Sequence, residues 1–355
     1  MPGRVTLSVV RSLPLCGLFA FTACAPALRP GDIVARRGQE IVVCGQLVHV
    51  GAPVVLWLDP GGYDAYRIQR RFEPGIMPKR PVSSQPARYG PLRRNLPPDV
   101  ERQVRESGWS LELLARCVDQ FVIHYDVCGT SRRCFQVLHD LRGLSVHFML
   151  DVDGTIYQTL DVKERAWHAG VANDRSIGVE IANIGAYEDM TVLDQWYARD
   201  LCGRTYIRFP ESLRPLGIRT PGFVARPARN DPVEGVIQGR RLVQYDFTPQ
   251  QYESLAKLIA ALHRVLPRIR LDYPRNADGS LRTTVLSRDE LARYRGLLGH
   301  WHVSERKVDP GPAFDWERVI RRAKSEIRRA KWGDSRPRLS WGPVALDWPR
   351  MPNEE

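Results

Sequence analysis

Apolar and polar positions alternate in short stretches early in the chain and settle into longer periods only later. The runs EIVVCGQLVHV (residues 40–50) and PVVLWLD (residues 53–59), the second closed by a Pro-Gly-Gly turn, predict a small hairpin-rich preface within residues 33–75. Residues 76–100 carry many Pro and Arg and predict a linker or an arm lying on the surface. A helix is expected over 98–116. FVIHY (residues 121–125) is an apolar and aromatic run ending in turn residues, which marks a buried strand. A helix follows over 131–142, and VHFMLDVDGTIYQTL then predicts a hairpin turning at Asp153-Gly154. SIGVEIANIG (residues 176–185) reads as a further strand.

From 186 to 246 the pattern loses any sustained period. A structureless loop of that length is unusual inside a compact domain, so an insertion with some order of its own is expected. Helical signals resume at Thr248, an N-cap with Pro249 at the first helical position and Gln251 completing a capping box. Leu255, Leu258, Ile259, Leu262 and Leu266 recur at helical spacing, and that face is expected to pack on the sheet. Further helices are predicted near 287–296, with Ser287 as N-cap, and near 314–331. The fold class is therefore α/β: a central mixed β-sheet flanked by helices, with a long insertion and a small β-rich N-terminal extension.

Composition refines this picture in three places. With 43% hydrophobic residues, a chain of 355 residues can bury a sizeable core. An excess of 52 Lys and Arg over 40 Asp and Glu favours anionic partners, but the arginines are scattered and no RNA-binding signature accompanies them, so nucleic acid is set aside. At the N-terminus, Arg4 and Arg11 precede an apolar run from Leu13 to Ala23 and small residues around Cys24, the form of an export signal too short for a membrane span. Phe21-Thr22-Ala23-Cys24 resembles the lipobox of bacterial lipoproteins, in which the cysteine is lipidated; simple secretion is the alternative.

The expected division is an export signal at 1–23, an N-terminal extension at 24–100, a catalytic domain at 101–335 with its insertion at 186–246, and a tail at 336–355. Beyond the signal stand Cys44, Cys117, Cys128, Cys134 and Cys202, an odd set for an oxidising compartment. Cys128 and Cys134, in CGTSRRC, are the favoured disulfide. A zinc knuckle is the rival, but no second ligand pair lies nearby.

The chemistry concentrates in GHWHVSERKVDPGPAFDW (residues 299–316). His124 ends a predicted strand and His300 follows the apolar run GLLG, so both can project from neighbouring strand ends into one cleft, with Asp309 nine positions after His300. Two imidazoles and a carboxylate are a common catalytic zinc set that keeps one position open. By strand alternation His302 shares a face with His300 and competes as a ligand.

In order along the chain, VIHYD, SVHFMLDVDGTIYQ, RAWHAG, SIGVEIAN and GHWHVSERKVDPGPAFDW resemble the zinc-dependent N-acetylmuramoyl-L-alanine amidases of the type-2 amidase and peptidoglycan-recognition-protein superfamily, over roughly residues 118–332. The resemblance implies zinc on His124, His300 and Asp309. It implies Glu180 as the acid that moves protons and Lys307 as the cation that meets the oxyanion. Trp167, His168 and Asn173 are implied to be substrate-binding, and the Cys128–Cys134 pair resembles a disulfide of the recognition-protein branch. The implied substrate is peptidoglycan or a soluble muropeptide, cut between N-acetylmuramic acid and L-alanine by an exported monomer. That protein would be a periplasmic or outer-membrane lipoprotein, or secreted, touching membrane only through the lipid. The insertion is expected to wall the cleft and narrow the choice of stem peptide. Alternative readings are a peptidoglycan-binding protein without hydrolysis and a zinc peptidase acting on the stem peptide.

Overall fold

The computed structural model describes residues 28–72 and 88–331. The expected export segment with Cys24, the tail at 336–355 and much of the Pro/Arg-rich stretch lie outside these residues. The chain opens with the hairpin β1 (Glu40–Val43) and β2 (Gln46–His49), antiparallel across a two-residue turn. Cys44 and Gly45 there both take positive φ, 51° and 73°, as such turns require. Their N–H groups donate to the Asp161 carboxylate at 2.8 Å. Next come β3 (Val54–Leu56) and a short β4 (Tyr89–Gly90).

Where one helix was expected over 98–116, two form: α1 (Pro98–Ser107) and α2 (Leu111–Cys117). Gly108 at φ 79° ends the first, and the Ser110 hydroxyl caps the second by accepting the N–H of Leu113. Then follow β5 (Gln120–Tyr125), α3 (Ser131–Phe135) running into a π turn over Gln136–Leu141, β6 (Phe148–Leu150), β7 (Ile156–Gln158), β8 (Arg165–Ala166) and β9 (Ser176–Ile181).

The insertion holds α4 (Leu193–Trp196), the hairpin β10 (Tyr197–Arg199) and β11 (Thr205–Ile207), and the hairpin β12 (Val233–Ile237) and β13 (Arg240–Gln244). It packs on the end of the main sheet: Tyr197 stacks on Tyr245 with ring centroids 4.0 Å apart beside Leu193, Ile207 and Val243, in one cluster with Val152, Ala182 and Ile184. α5 (Pro249–Val265) starts at the expected capping box. α6 (Arg288–Arg293) is shorter than predicted because the residues that follow are needed as β14 (Gly296–Gly299), and α7 (Trp316–Lys331) closes the described chain.

The central sheet has six strands in the order β14-β5-β9-β6-β7-β3. β14, β5, β9 and β6 run parallel, β7 is antiparallel to β6, and β3 is parallel to β7. The sheet is mixed, as expected. The N-terminal extension is part of it rather than a preface beside it: β3 is an edge strand, and the buried Gln158 exchanges hydrogen bonds with the Val42 N–H (2.7 Å) and carbonyl (2.8 Å).

Strand alternation sorts the two faces. Phe121 and Ile123, Phe148 and Leu150, and Ile177, Val179 and Ile181 pack with Leu255, Leu258, Ile259 and Leu262 of α5 and Val319 and Ile320 of α7. On that account Val122, His124, Gly178 and Glu180 face the other way. The coverage of that opposite face includes α3 and the segment around β8.

Candidate functional site

His124, Glu180 and His300 meet at the carboxyl ends of the four parallel strands, the end of an α/β sheet where ligands gather. His124 on β5 is the register partner of Glu180 on β9, so both side chains leave the sheet on the same face. The register pair Gly299–Ile123 ends β14 one residue before His300, which places His300 beside His124. Asp309 arrives from the following loop, whose Asp309 carbonyl accepts the Trp301 N–H at 3.3 Å.

Three donor atoms converge there. His124 Nδ1 lies 3.0 Å from His300 Nδ1 and 2.9 Å from Asp309 Oδ2, and His300 Nδ1 lies 3.1 Å from Asp309 Oδ2. A tetrahedral zinc with ligands at about 2.0–2.1 Å has ligand–ligand edges of ~3.4 Å, so this triangle is close to the face of such a site. Two imidazole nitrogens and one carboxylate oxygen also match zinc in donor type, so the residues fit the metal.

The electrostatics agree. Burial, then the proximity of His300, pushes the His124 imidazole down to about 4, so at neutral pH it is uncharged, the form that offers a lone pair. Burial works against the Asp309 charge, but His300 and His124 outweigh it and hold the carboxyl below its ordinary range. Glu180 is pushed well above the usual carboxylate range by burial and then by Asp309 and Asp126, with Lys307 opposing. Glu180 therefore favours its protonated form more than an exposed glutamate does.

These groups line one cleft of about 290 Å³, which Trp167, His168, Lys307, Cys128 and Cys134 share. Lys307 makes no ion pair among the described residues and keeps its charge available to a ligand. Asn173, implied to contact substrate, is absent from the lining; its Oδ1 accepts the N–H groups of His168 (3.2 Å) and Ala169 (2.7 Å) and so shapes the turn carrying His168. His302 is not a competing ligand. The strand ends at Gly299, residues 300–302 form a 3₁₀ turn, and His302 Nδ1 accepts the Gly299 N–H at 2.9 Å while its Nε2–H donates to the Arg282 carbonyl at 2.7 Å. Cys128 and Cys134 are free thiols in hydrogen-bond contact, so the expected disulfide is not formed in the structure.

The insertion also differs from its expectation, because none of residues 186–246 lines this cleft. It supports the ligand loop instead. Gln244 of β13, fully buried, donates from Nε2 to the Pro310 carbonyl at 3.0 Å and accepts the Ala313 N–H at Oε1 at 3.0 Å. Gly311 takes φ 85° against that side chain, and a Cβ there would collide with Gln244 Oε1.

The packing of His168 against His124 was not foreseen from the sequence. His168 Nδ1 lies 3.0 Å from His124 Nε2, and the His168 ring occupies the space left by Gly178. A glycine inside the strand SIGVEI was the available signal, since it marks close approach by another group.

Several known proteins are similar to this chain. The family model of the N-acetylmuramoyl-L-alanine amidases matches residues 114–312, a span holding His124, Glu180, His300, Lys307 and Asp309. The 1,6-anhydro-N-acetylmuramyl-L-alanine amidase AmpD of Haemophilus influenzae is 24% identical over 191 residues, 54% of this chain and 64% of that protein. The chain thus spans just under two thirds of that relative's length. Among solved structures, a selenomethionine derivative of AmpD is 19% identical, with a TM-score of 0.31, over 70% of this chain and 96% of that one. The E. coli N-acetylmuramyl-L-alanine amidase AmiD, solved with anhydro-N-acetylmuramic acid-L-Ala-D-gamma-Glu-L-Lys, is 19% identical, with a TM-score of 0.31, over 58% of this chain and 57% of that one. With more than half of its residues matched by the family model, the chain belongs to the N-acetylmuramoyl-L-alanine amidase family.

Proposed function

We propose that the protein is a zinc-dependent hydrolase that cleaves the amide between N-acetylmuramic acid and L-alanine of peptidoglycan, in remodelling or turnover of the cell wall. The observation that carries this reading is the convergence of His124 Nδ1, His300 Nδ1 and Asp309 Oδ2 beside Glu180 in one cleft. Those three side chains would hold the metal, which supplies Lewis acidity toward the scissile carbonyl and makes water a stronger nucleophile at neutral pH.

The chain's own groups do the rest. Glu180, on the strand next to His124 and without a hydrogen-bond partner among the described residues, takes the proton from the attacking water and delivers it to the departing L-alanine nitrogen. Its raised affinity for protons suits the second half of that transfer. Lys307 places a positive charge where the carbonyl oxygen becomes negative. Trp167 and the cleft walls hold the glycopeptide and limit water.

The substrate is a muropeptide of the class seen with AmiD, or the wall polymer itself. The protein acts as a monomer, exported and held by a lipid on Cys24 in the periplasm or at the outer membrane, or secreted. Among the described residues, no helix is long and apolar enough to cross a membrane. The test is mass spectrometry of defined muropeptides after incubation with the mature protein, with and without a zinc chelator. Chelator-sensitive release of a free stem peptide beginning at L-alanine supports the reading. Intact muropeptides with zinc bound at one per chain point to a binding role, and cleavage within the stem peptide points to a peptidase.

A further inference from the structure

We propose that His168 is a positioning residue that fixes His124 as a metal ligand, rather than a substrate contact; the inference rests on the metal reading above.

His124 turns Nδ1 toward His300 and Asp309, so ligation needs that nitrogen bare and the imidazole proton on Nε2. His168 Nδ1 lies 3.0 Å from His124 Nε2, with the two rings nearly perpendicular at 88°. The His124 Nε2–H therefore donates to His168 Nδ1, and the His168 proton sits on its own Nε2, 3.3 Å from the Ser176 hydroxyl. The Ser176 hydroxyl, able to accept as well as donate, accommodates that proton. Reversing the chain would put a proton on His124 Nδ1, facing the other ligand atoms.

His168 is itself held in place. Its ring lies over Gly178 on β9, where a Cβ would fall 2.5 Å from Nδ1. The Gly178 N–H donates to His147 Nδ1 at 3.1 Å, and His147 in turn donates from Nε2 to the Glu164 carbonyl at 3.0 Å. Asn173 anchors the backbone on the other side through the N–H groups of His168 and Ala169. These contacts hold the His168 ring in place, and outer partners of a ligating imidazole commonly govern metal affinity by about 10–100-fold.

Zinc affinity, measured by competition with a chromophoric chelator, reads the effect without reference to turnover. His168→Ala is expected to weaken zinc binding by about 10–100-fold. His168→Asn, whose Oδ1 can take the place of Nδ1 as acceptor, should recover most of it. Gly178→Ala, which leaves the His168 chemistry intact and displaces the ring, should resemble His168→Ala, and the double variant should be no worse than either single one. Thermal melts with chelator present check that each apoprotein folds. Unchanged zinc affinity in His168→Ala with a raised KM would overturn the inference in favour of substrate contact. Equal losses in His168→Ala and His168→Asn would also overturn it. A wild-type protein that binds no zinc removes the metal reading itself, an outcome distinct from either.

Discussion

Replacing Gln244 by Ala should weaken the fold and the metal site together, although Gln244 is outside the cleft. The side chain is fully buried and makes three hydrogen bonds: to the Pro310 carbonyl at 3.0 Å, to Asn183 Oδ1 at 3.1 Å, and from the Ala313 N–H at 3.0 Å. Truncation strands a buried carbonyl and a buried N–H, each costing about 1–3 kcal/mol when left unpaired. Taking both near the low end, with a small cavity contribution, gives a loss of about 3 kcal/mol. For a chain of 355 residues, whose unfolding entropy is about 0.7 kcal/mol/K, that corresponds to a fall in Tm of roughly 4 °C. Because Pro310 directly follows Asp309, the freed loop should also hold the carboxylate less firmly and lower zinc affinity. Scanning calorimetry of the chelated protein gives the first quantity and chelator competition the second. A Tm within about 1 °C of wild type, well inside the effect expected for an unpaired buried amide, would show that the insertion does not support the ligand loop as described.

Glu180→Gln keeps the side-chain volume and removes the proton carrier, so kcat should fall by about 10²–10⁴-fold while metal analysis still finds zinc bound. Lys307→Met should lower kcat by about 10²–10³-fold with little change in KM, as measured on a defined muropeptide. His147 is held down to about 3 by burial and then by Arg93, so it stays neutral in the fold while the unfolded chain takes up a proton near 6.5. Its contribution to stability is complete above pH 6.5 and is lost as pH falls toward about 3, at about 1.4 kcal/mol per pH unit. Denaturant titrations of His147→Asn should accordingly show a shallower loss than wild type between those limits.

How far the sequence disclosed this arrangement depends on whether the deciding interaction is local. FVIHY, SIGVEI, the hairpin around Asp153-Gly154 and the Thr248 capping box carry their periods and caps within a few residues, and the structure forms them there. VVL gave no local sign that it would lie beside Ile156–Gln158 as an edge strand, because that pairing joins segments about a hundred residues apart. The break at Gly108 is written locally, with a glycine and a capping serine two residues on, and the single helix expected over 98–116 passes over both. His302 shows the opposite error. Alternation assigns it a face only while the strand continues, and the strand stops at Gly299. His124, His300 and Asp309 could be singled out by residue type, yet what lets them work together was less legible: His168 packs on a glycine ten residues further along, and Gln244 reaches the Pro310 elbow from the far end of the insertion. Ligand atoms carry a chemical signature in sequence. The groups that orient them are ordinary residues whose function arises from position, and a strand glycine such as Gly178 is informative because its missing side chain records a neighbour's presence.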